Sequence, residues 1–118
     1  MIELDVKINT KQLKPQLYKY EDRIIYYLAR YTLAYSINII PYRTGKMRRT
    51  TTGAGVQGSN KEYRIGSYTD YASKVWQYPD NTRWTTPGTT NRWFERTYNK
   101  NRDTFLENAI SISLGEVE

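Results

Sequence analysis

The sequence predicts an α+β fold: a small antiparallel or mixed sheet packed by one long N-terminal helix and a C-terminal helix, with a long loop before the last helix. Three observations point there. Ile2, Leu4, Val6 and Ile8 alternate with Glu3, Asp5 and Lys7, the period of two that marks a half-buried strand. From about Gln12 to Ile40, Leu13, Leu17, Tyr20, Ile24, Leu28, Tyr31, Tyr35 and Ile39 recur three, four or seven apart, as on an amphipathic helix. From about Arg92 to Ser113, Phe94, Tyr98, Phe105, Ala109 and Ile112 share one helical face, with Gly115 just beyond, the pattern of a second helix and its stop.

The elements follow in order within a single expected domain, 1–118, long enough to bury one core. Asn9-Thr10 offers a cap for the first helix, and Pro15 sits in its first turn or marks a later start. Ile25, Ala29, Leu33, Ile37 and Ile40 widen the apolar stripe, so this helix is expected to touch its own sheet and a neighbour. Pro41 stops it, and Gly45 lets the chain turn. Thr50 to Gln57 leans towards strand despite two glycines, 58–61 forms a hairpin loop, and Glu62 to Ser67 returns as the partner strand. Tyr71, Ala72, Val75 and Trp76 fit a short helix at the sheet edge, with a strand as the alternative. Tyr78 to Asn91, rich in Pro, Gly, Asn and Thr, reads as a long loop. Ile110, Ile112 and Leu114 alternate with Ser111 and Ser113, so 110–117 is open to either helix or strand.

Composition removes most enzyme chemistry. There is no Cys and no His, so disulfides, a cysteine nucleophile, an imidazole base and the commonest zinc ligands are all excluded. The twelve acidic residues are scattered singly or as adjacent pairs such as Glu21-Asp22, without the spacing of a metal cage or a two-carboxylate hydrolase. Gly53-Ala54-Gly55-Val56-Gln57-Gly58 satisfies G-x-G-x-x-G in letters only, since neither an apolar strand before it nor a helix after it is predicted. No catalytic, cofactor-binding or metal-ligating residue is therefore expected. No apolar run reaches the ~20 residues of a bilayer span, and no basic-then-apolar leader opens the chain. A soluble protein made in the cytoplasm is expected.

The formal charge of +6 favours an acidic partner. It is unevenly spread: Arg43, Lys46, Arg48, Arg49, Lys61 and Arg64 face only Glu62 between Pro41 and Gly66, whereas Asp103, Glu107, Glu116 and Glu118 follow Arg102 without a base. Such polarity suits head-to-tail contact between copies, and solvated surface charge is the plainer reading. Twelve tyrosines and three tryptophans exceed what a core this size needs, and Tyr, Trp and Arg are the residues enriched where proteins meet. Tyr26, Tyr27, Tyr31 and Tyr35 are accounted for by the helix itself. Trp84, in a loop between Pro79 and Pro87, has nothing local to pack on and is expected to enter a groove on its own or another subunit. A small basic nucleic-acid-binding protein, stacking bases on Tyr or Trp and pairing phosphates with Arg43, Lys46, Arg48, Arg49 and Arg64, is the rival account, although no recognition motif of that class is present.

The succession of pieces carries a resemblance. A strand, a long helix ending at Ile40-Pro41, then Thr44-Gly45, Met47-Arg48 and Thr50, a hairpin, Tyr71-Ala72, and a last helix opened by Trp93-Phe94 resembles the minor capsid and tail-completion proteins at the neck of long-tailed bacteriophages. It departs from that pattern at Gln77-Tyr78-Pro79, where a Gly is usual. The resemblance implies a structural virion protein, not an enzyme, made in the host bacterial cytoplasm and sited at the head-tail interface. It implies a sixfold or twelvefold ring joined to adjacent neck and tail-tube proteins, with packaged DNA passing through the lumen unread and no membrane contact. On that basis Pro41, Thr44 and Gly45 form a structural turn. Arg43, Lys46, Arg48 and Arg49 engage acids on an adjacent copy or ring, and Trp76, Trp84 and Trp93 anchor apolar pockets.

Overall fold

The computed structural model describes residues 1–8, 13–42, 45–84 and 86–117. The Asn9-Thr10 cap and the sequence-predicted site residues Arg43 and Thr44 lie outside them. The chain is an α+β fold, elongated to 46 × 24 × 21 Å. Its order is β1 (Ile2–Val6), a 3-10 helix (Pro15–Tyr20), α1 (Glu21–Ile37), α2 (Lys46–Ala54), β2 (Gln57–Ser59), β3 (Glu62–Ser67), α3 (Ala72–Trp76) and α4 (Trp93–Val117).

The sheet is antiparallel in the order β1-β3-β2. Leu4 faces Ile65 and Val6 faces Tyr63 across β1 and β3, so the alternating apolar residues of β1 pack towards the helices. The hairpin turns on Asn60 and Lys61, both at positive φ, the geometry that matches the twist of the flanking strands. Just before it, Gly58 has φ +110°, and a Cβ there would run into the carbonyl of Glu62.

The first helical segment is shorter than its apolar periodicity. Pro15 holds Lys14 extended, at φ −67° and ψ 144°, as expected for a residue before proline. The chain then winds as a tight 3-10 helix before α1 opens with Glu21 and Asp22, whose charges suit the positive end of a helix dipole. These two acids also hold the hairpin. Asp22 Oδ1 accepts from the Lys61 amide at 2.7 Å and the Tyr63 hydroxyl at 2.9 Å, and Glu21 pairs with Lys61 Nζ at 3.4 Å. Burial, and then this bond to Asp22, push the Tyr63 pKa up to about 12.

One reading is corrected, and one left open is decided for helix. Lys46–Ala54 is helix, not the weak strand expected over Thr50 to Gln57. Met47 and Thr51 are buried one turn apart. The hydroxyls of Thr50 and Thr52 donate to the carbonyls of Lys46 and Arg48 at 2.9 and 2.8 Å, so the β-branched residues are satisfied inside a helix that tertiary packing selects. The alternation at Ile110 to Leu114 likewise does not make a strand: α4 runs through it. Ala109 and Ser113 are buried one turn apart, and Ser113 Oγ donates to the Ala109 carbonyl at 2.7 Å.

The main core joins Val6, Leu28, Ala29, Ile40, Met47, Ile65, Ala72, Trp93, Phe94 and Phe105. A smaller cluster of Leu13, Ile24 and Ala109 fills the other end, because α1 and α4 run antiparallel, with Phe105 against Tyr31 and Tyr35. Thr51 Oγ1 and Ser67 Oγ meet at 2.8 Å, and Trp93 Nε1 donates to Ser67 Oγ at 3.2 Å, so these three polar groups inside the core are paired.

Candidate functional site: an aromatic and basic groove

A groove of about 680 Å³ opens where the α1–α2 turn, α3 and the loop before α4 converge. One wall is the turn. α1 ends at Ile37, short of the expected stop at Pro41, and Gly45 takes φ +80° at the entry to α2, a conformation open to glycine and strained for other residues. A Cβ on Gly45 would approach the Tyr42 ring and the Arg49 side chain at 2.8 Å. Arg48 ties this turn back to α1: its Nε donates to the Ile40 carbonyl at 2.9 Å and its Nη2 to the Asn38 carbonyl at 3.0 Å. Its guanidinium also lies 5.0 Å from the centre of the Tyr42 ring. A side chain from α2 thus satisfies two carbonyls of the turn that follows α1.

The opposite wall is the loop, and it is held in place. Asn91, almost fully buried, donates from Nδ2 to the Tyr78 carbonyl at 2.6 Å and to Asp80 Oδ1 at 2.9 Å. Arg96 closes the clamp, reaching Asn91 Oδ1 at 2.7 Å and Asp80 Oδ1 at 2.9 Å. The bond from Asn91, and then the Arg96 charge, hold the Asp80 carboxyl below its usual range. Thr86 Oγ1 donates to the Tyr42 carbonyl at 3.0 Å and the Thr90 amide to the Ile39 carbonyl at 2.9 Å, so the loop is stapled to the turn facing it. Within this frame Trp84 stacks on Tyr78, centroids 5.7 Å apart and planes 19° from parallel. The expectation that Trp84 has nothing local to pack on is overturned: Tyr78 is its partner.

The tryptophans proposed from sequence have unlike fates. Trp93 is 0 % exposed and belongs to the core, which overturns its reading as a pocket anchor on another subunit. Trp76 is half-buried, edge-on to Trp93 at 5.0 Å and beside Phe94 at 5.9 Å. Trp84 alone of the three lines the groove. Among the proposed cations, Lys46 is exposed on the groove wall and Arg49 is exposed on α2. Arg48 is half-buried and donates to the carbonyls of Ile40 and Asn38.

Among the lining residues that the sequence did not single out as site residues are Tyr42, Tyr71, Lys74, Tyr78 and Arg83. A signal for most of them was present: Tyr71, Lys74, Val75 and Tyr78 fall at i, i+3, i+4 and i+7, one face of a helical turn. The groove wall therefore combines four aromatic rings with Lys46, Lys74 and Arg83, and no acid stands among its described lining residues. Lys74 and Arg83 have no ion-pair partner among the described residues. The described residues contain no cluster of acids that could hold a metal ion, and no described helix is long and apolar enough to cross a membrane. What the arrangement offers chemically is stacking, apolar contact and positive charge. No family model matches the chain, and no curated protein or solved structure matches it.

Proposed function

We propose that this chain is a structural protein of a bacteriophage neck, one subunit of a sixfold or twelvefold ring that joins the DNA-filled head to the tail. The observation that carries this reading is the meeting in space of the separate pieces of the resemblance. Ile40, Met47, Ala72, Trp93 and Phe94 share one core, while Pro41, Gly45, Lys46 and Tyr71 line one groove above it. A rigid wall of helices and sheet with a preformed recognition groove at one end suits a part that acts by binding. The ring contacts adjacent neck and tail-tube proteins, and DNA passes its lumen without base readout.

The test is electron microscopy of the purified chain, alone and mixed with portal-side or tail-tube protein from the same virion. Rings in either sample support the reading, and single subunits in both contradict it. Trp84→Ala is expected to abolish the rings while lowering stability by only about 1 kcal/mol, the worth of a half-buried aromatic pair.

The four rings and three cations of the groove also favour a second reading, a small protein that binds single-stranded nucleic acid by stacking bases on Tyr and Trp. That reading requires affinity for short DNA or RNA that falls steeply with salt. Absence of binding at low salt removes it.

A further inference from the structure

We infer that the groove receives the acidic end of α4 from a second copy of this chain, so that each subunit inserts its last helical turn into the next. The inference rests on the ring reading above and names the contact that closes the ring. Three observations lead to it.

The first is the charge of the groove. Its walls carry Lys46, Lys74 and Arg83 and no acid among the described lining residues. Its rings, Trp84 stacked on Tyr78 beside Tyr42 and Tyr71, offer faces for aliphatic side chains. The fitting ligand is therefore a segment that alternates acids with apolar residues.

The second is the composition of the helix end. After Arg102 the chain carries Asp103, Glu107, Glu116 and Glu118 and no base, with Leu114 and Val117 between the last acids. No basic residue occupies the last turn of α4. Carboxylates at the C-terminal end of a helix face the negative end of its dipole and are unfavourable there. A cationic groove on another molecule relieves that repulsion and neutralises the carbonyl end together with the acids. Lys14 and Lys19 lie on the same side of the helix as Ile110 and Leu114, so the docking segment is taken from the stretch of chain after Leu114.

The third is distance. α4 begins with Trp93 in the core below the groove and runs for 25 residues, which is about 37 Å at the helical rise of 1.5 Å per residue. Its far end lies beside the 3-10 helix, against Leu17 and Tyr20. The helix end is thus remote from its own groove, and insertion has to be intermolecular. Groove and helix end are different surfaces, so the contact is heterologous and repeats around a ring or along a filament.

The chain has no cysteine, which makes cross-linking clean. The double variant Arg83→Cys with Glu116→Cys, oxidised under the conditions in which the wild type assembles, is expected to give a ladder of disulfide-linked oligomers. Either single variant is expected to stop at dimers. A fluorescent peptide of residues 103–118, titrated into the full chain at low salt, is expected to bind at least tenfold more weakly to Lys74→Glu/Arg83→Glu. A peptide carrying Glu116→Lys and Glu118→Lys is expected to recover binding to that variant. A missing ladder in the double variant, under conditions in which the wild type forms rings, overturns the inference and leaves the ring standing. Peptide affinity unmoved by the groove charges overturns it equally. A groove that binds oligothymidylate in place of the peptide overturns it in favour of the nucleic-acid reading. Ring formation itself is read on the wild type alone, so its failure is seen separately from a failure of docking.

Discussion

Two sets of cations on this chain look alike in the sequence and differ in the fold. Lys61 and Arg64 sit on the hairpin, where Lys61 pairs with Glu21 at 3.4 Å and Arg64 with Glu3 at 3.1 Å. Lys74 and Arg83 sit on the groove and pair with no acid among the described residues. The first set fastens the sheet to α1 and to its own edge strand. The second lines the groove without an intrachain acid among the described residues. A run of basic residues in a sequence is therefore a weak pointer to a binding surface until the acids that fold back onto it are known, and here those acids come from positions 3 and 21, far from the basic segment.

The comparison is broken most severely from beneath the groove. Trp93→Ala removes a fully buried ring that contacts Trp76, Phe94 and Ser67 and is expected to cost about 3–5 kcal/mol, measured by urea unfolding. A loss below 1 kcal/mol would return Trp93 to the surface. Next comes the clamp. Asn91→Ala leaves the Tyr78 carbonyl without its side-chain donor and takes one acceptor from Arg96, which keeps Asp80, and is expected to cost about 1–3 kcal/mol. It also frees the Trp84 loop, so protease cleavage between Pro79 and Thr90 should accelerate while the hairpin stays intact. Equal cleavage in variant and wild type would argue against a held loop.

The hairpin responds to pH instead. The folded pKa of Tyr63 is raised to about 12 from its ordinary 10.0, so its stabilising contribution is complete below pH 10 and is lost as pH rises from there through the folded value. Tyr63→Phe, which cannot ionise or donate to Asp22, is expected to be less stable than wild type at pH 8, and the difference should shrink above pH 10. A difference that holds constant to pH 12 would contradict the assignment. The smallest effect belongs to the paired cations. Lys61→Ala and Arg64→Ala are expected to lower stability by about 0–1 kcal/mol each, as exposed ion pairs do, and to leave assembly untouched. Loss of assembly in either variant would erase the contrast between the two sets.

Much of the fold was legible because period and burial agree. The alternation of β1, the apolar face of α1 and the Phe94-to-Ala109 face of α4 each point to one element, and each element forms. Thr50 to Gln57 was misread because threonine leans towards strand locally, whereas burial of Met47 and Thr51 and the back-bonding hydroxyls that favour helix are tertiary facts. At the site, Pro41 and Gly45 were legible as a turn because their backbone restrictions are written in the residue type. The roles of Arg48, Trp84 and Trp93 were not. They depend on contacts with Ile40, Tyr78 and Ser67, and side-chain type alone does not say whether an arginine ties down a turn or a tryptophan fills a core.

On the proposed reading this chain works by assembling, with the groove as the assembling surface and Trp93 in the core beneath it. Light-scattering mass of wild type and Trp84→Ala, each measured across concentration with the neck or tail-tube partner present, tests it most directly. The account predicts a wild-type mass six or twelve times the 14.0 kDa of one chain, and a monomer for Trp84→Ala with its thermal midpoint nearly unchanged. A wild type that stays at one chain mass throughout, or a Trp84→Ala variant that assembles as wild type does, would contradict it.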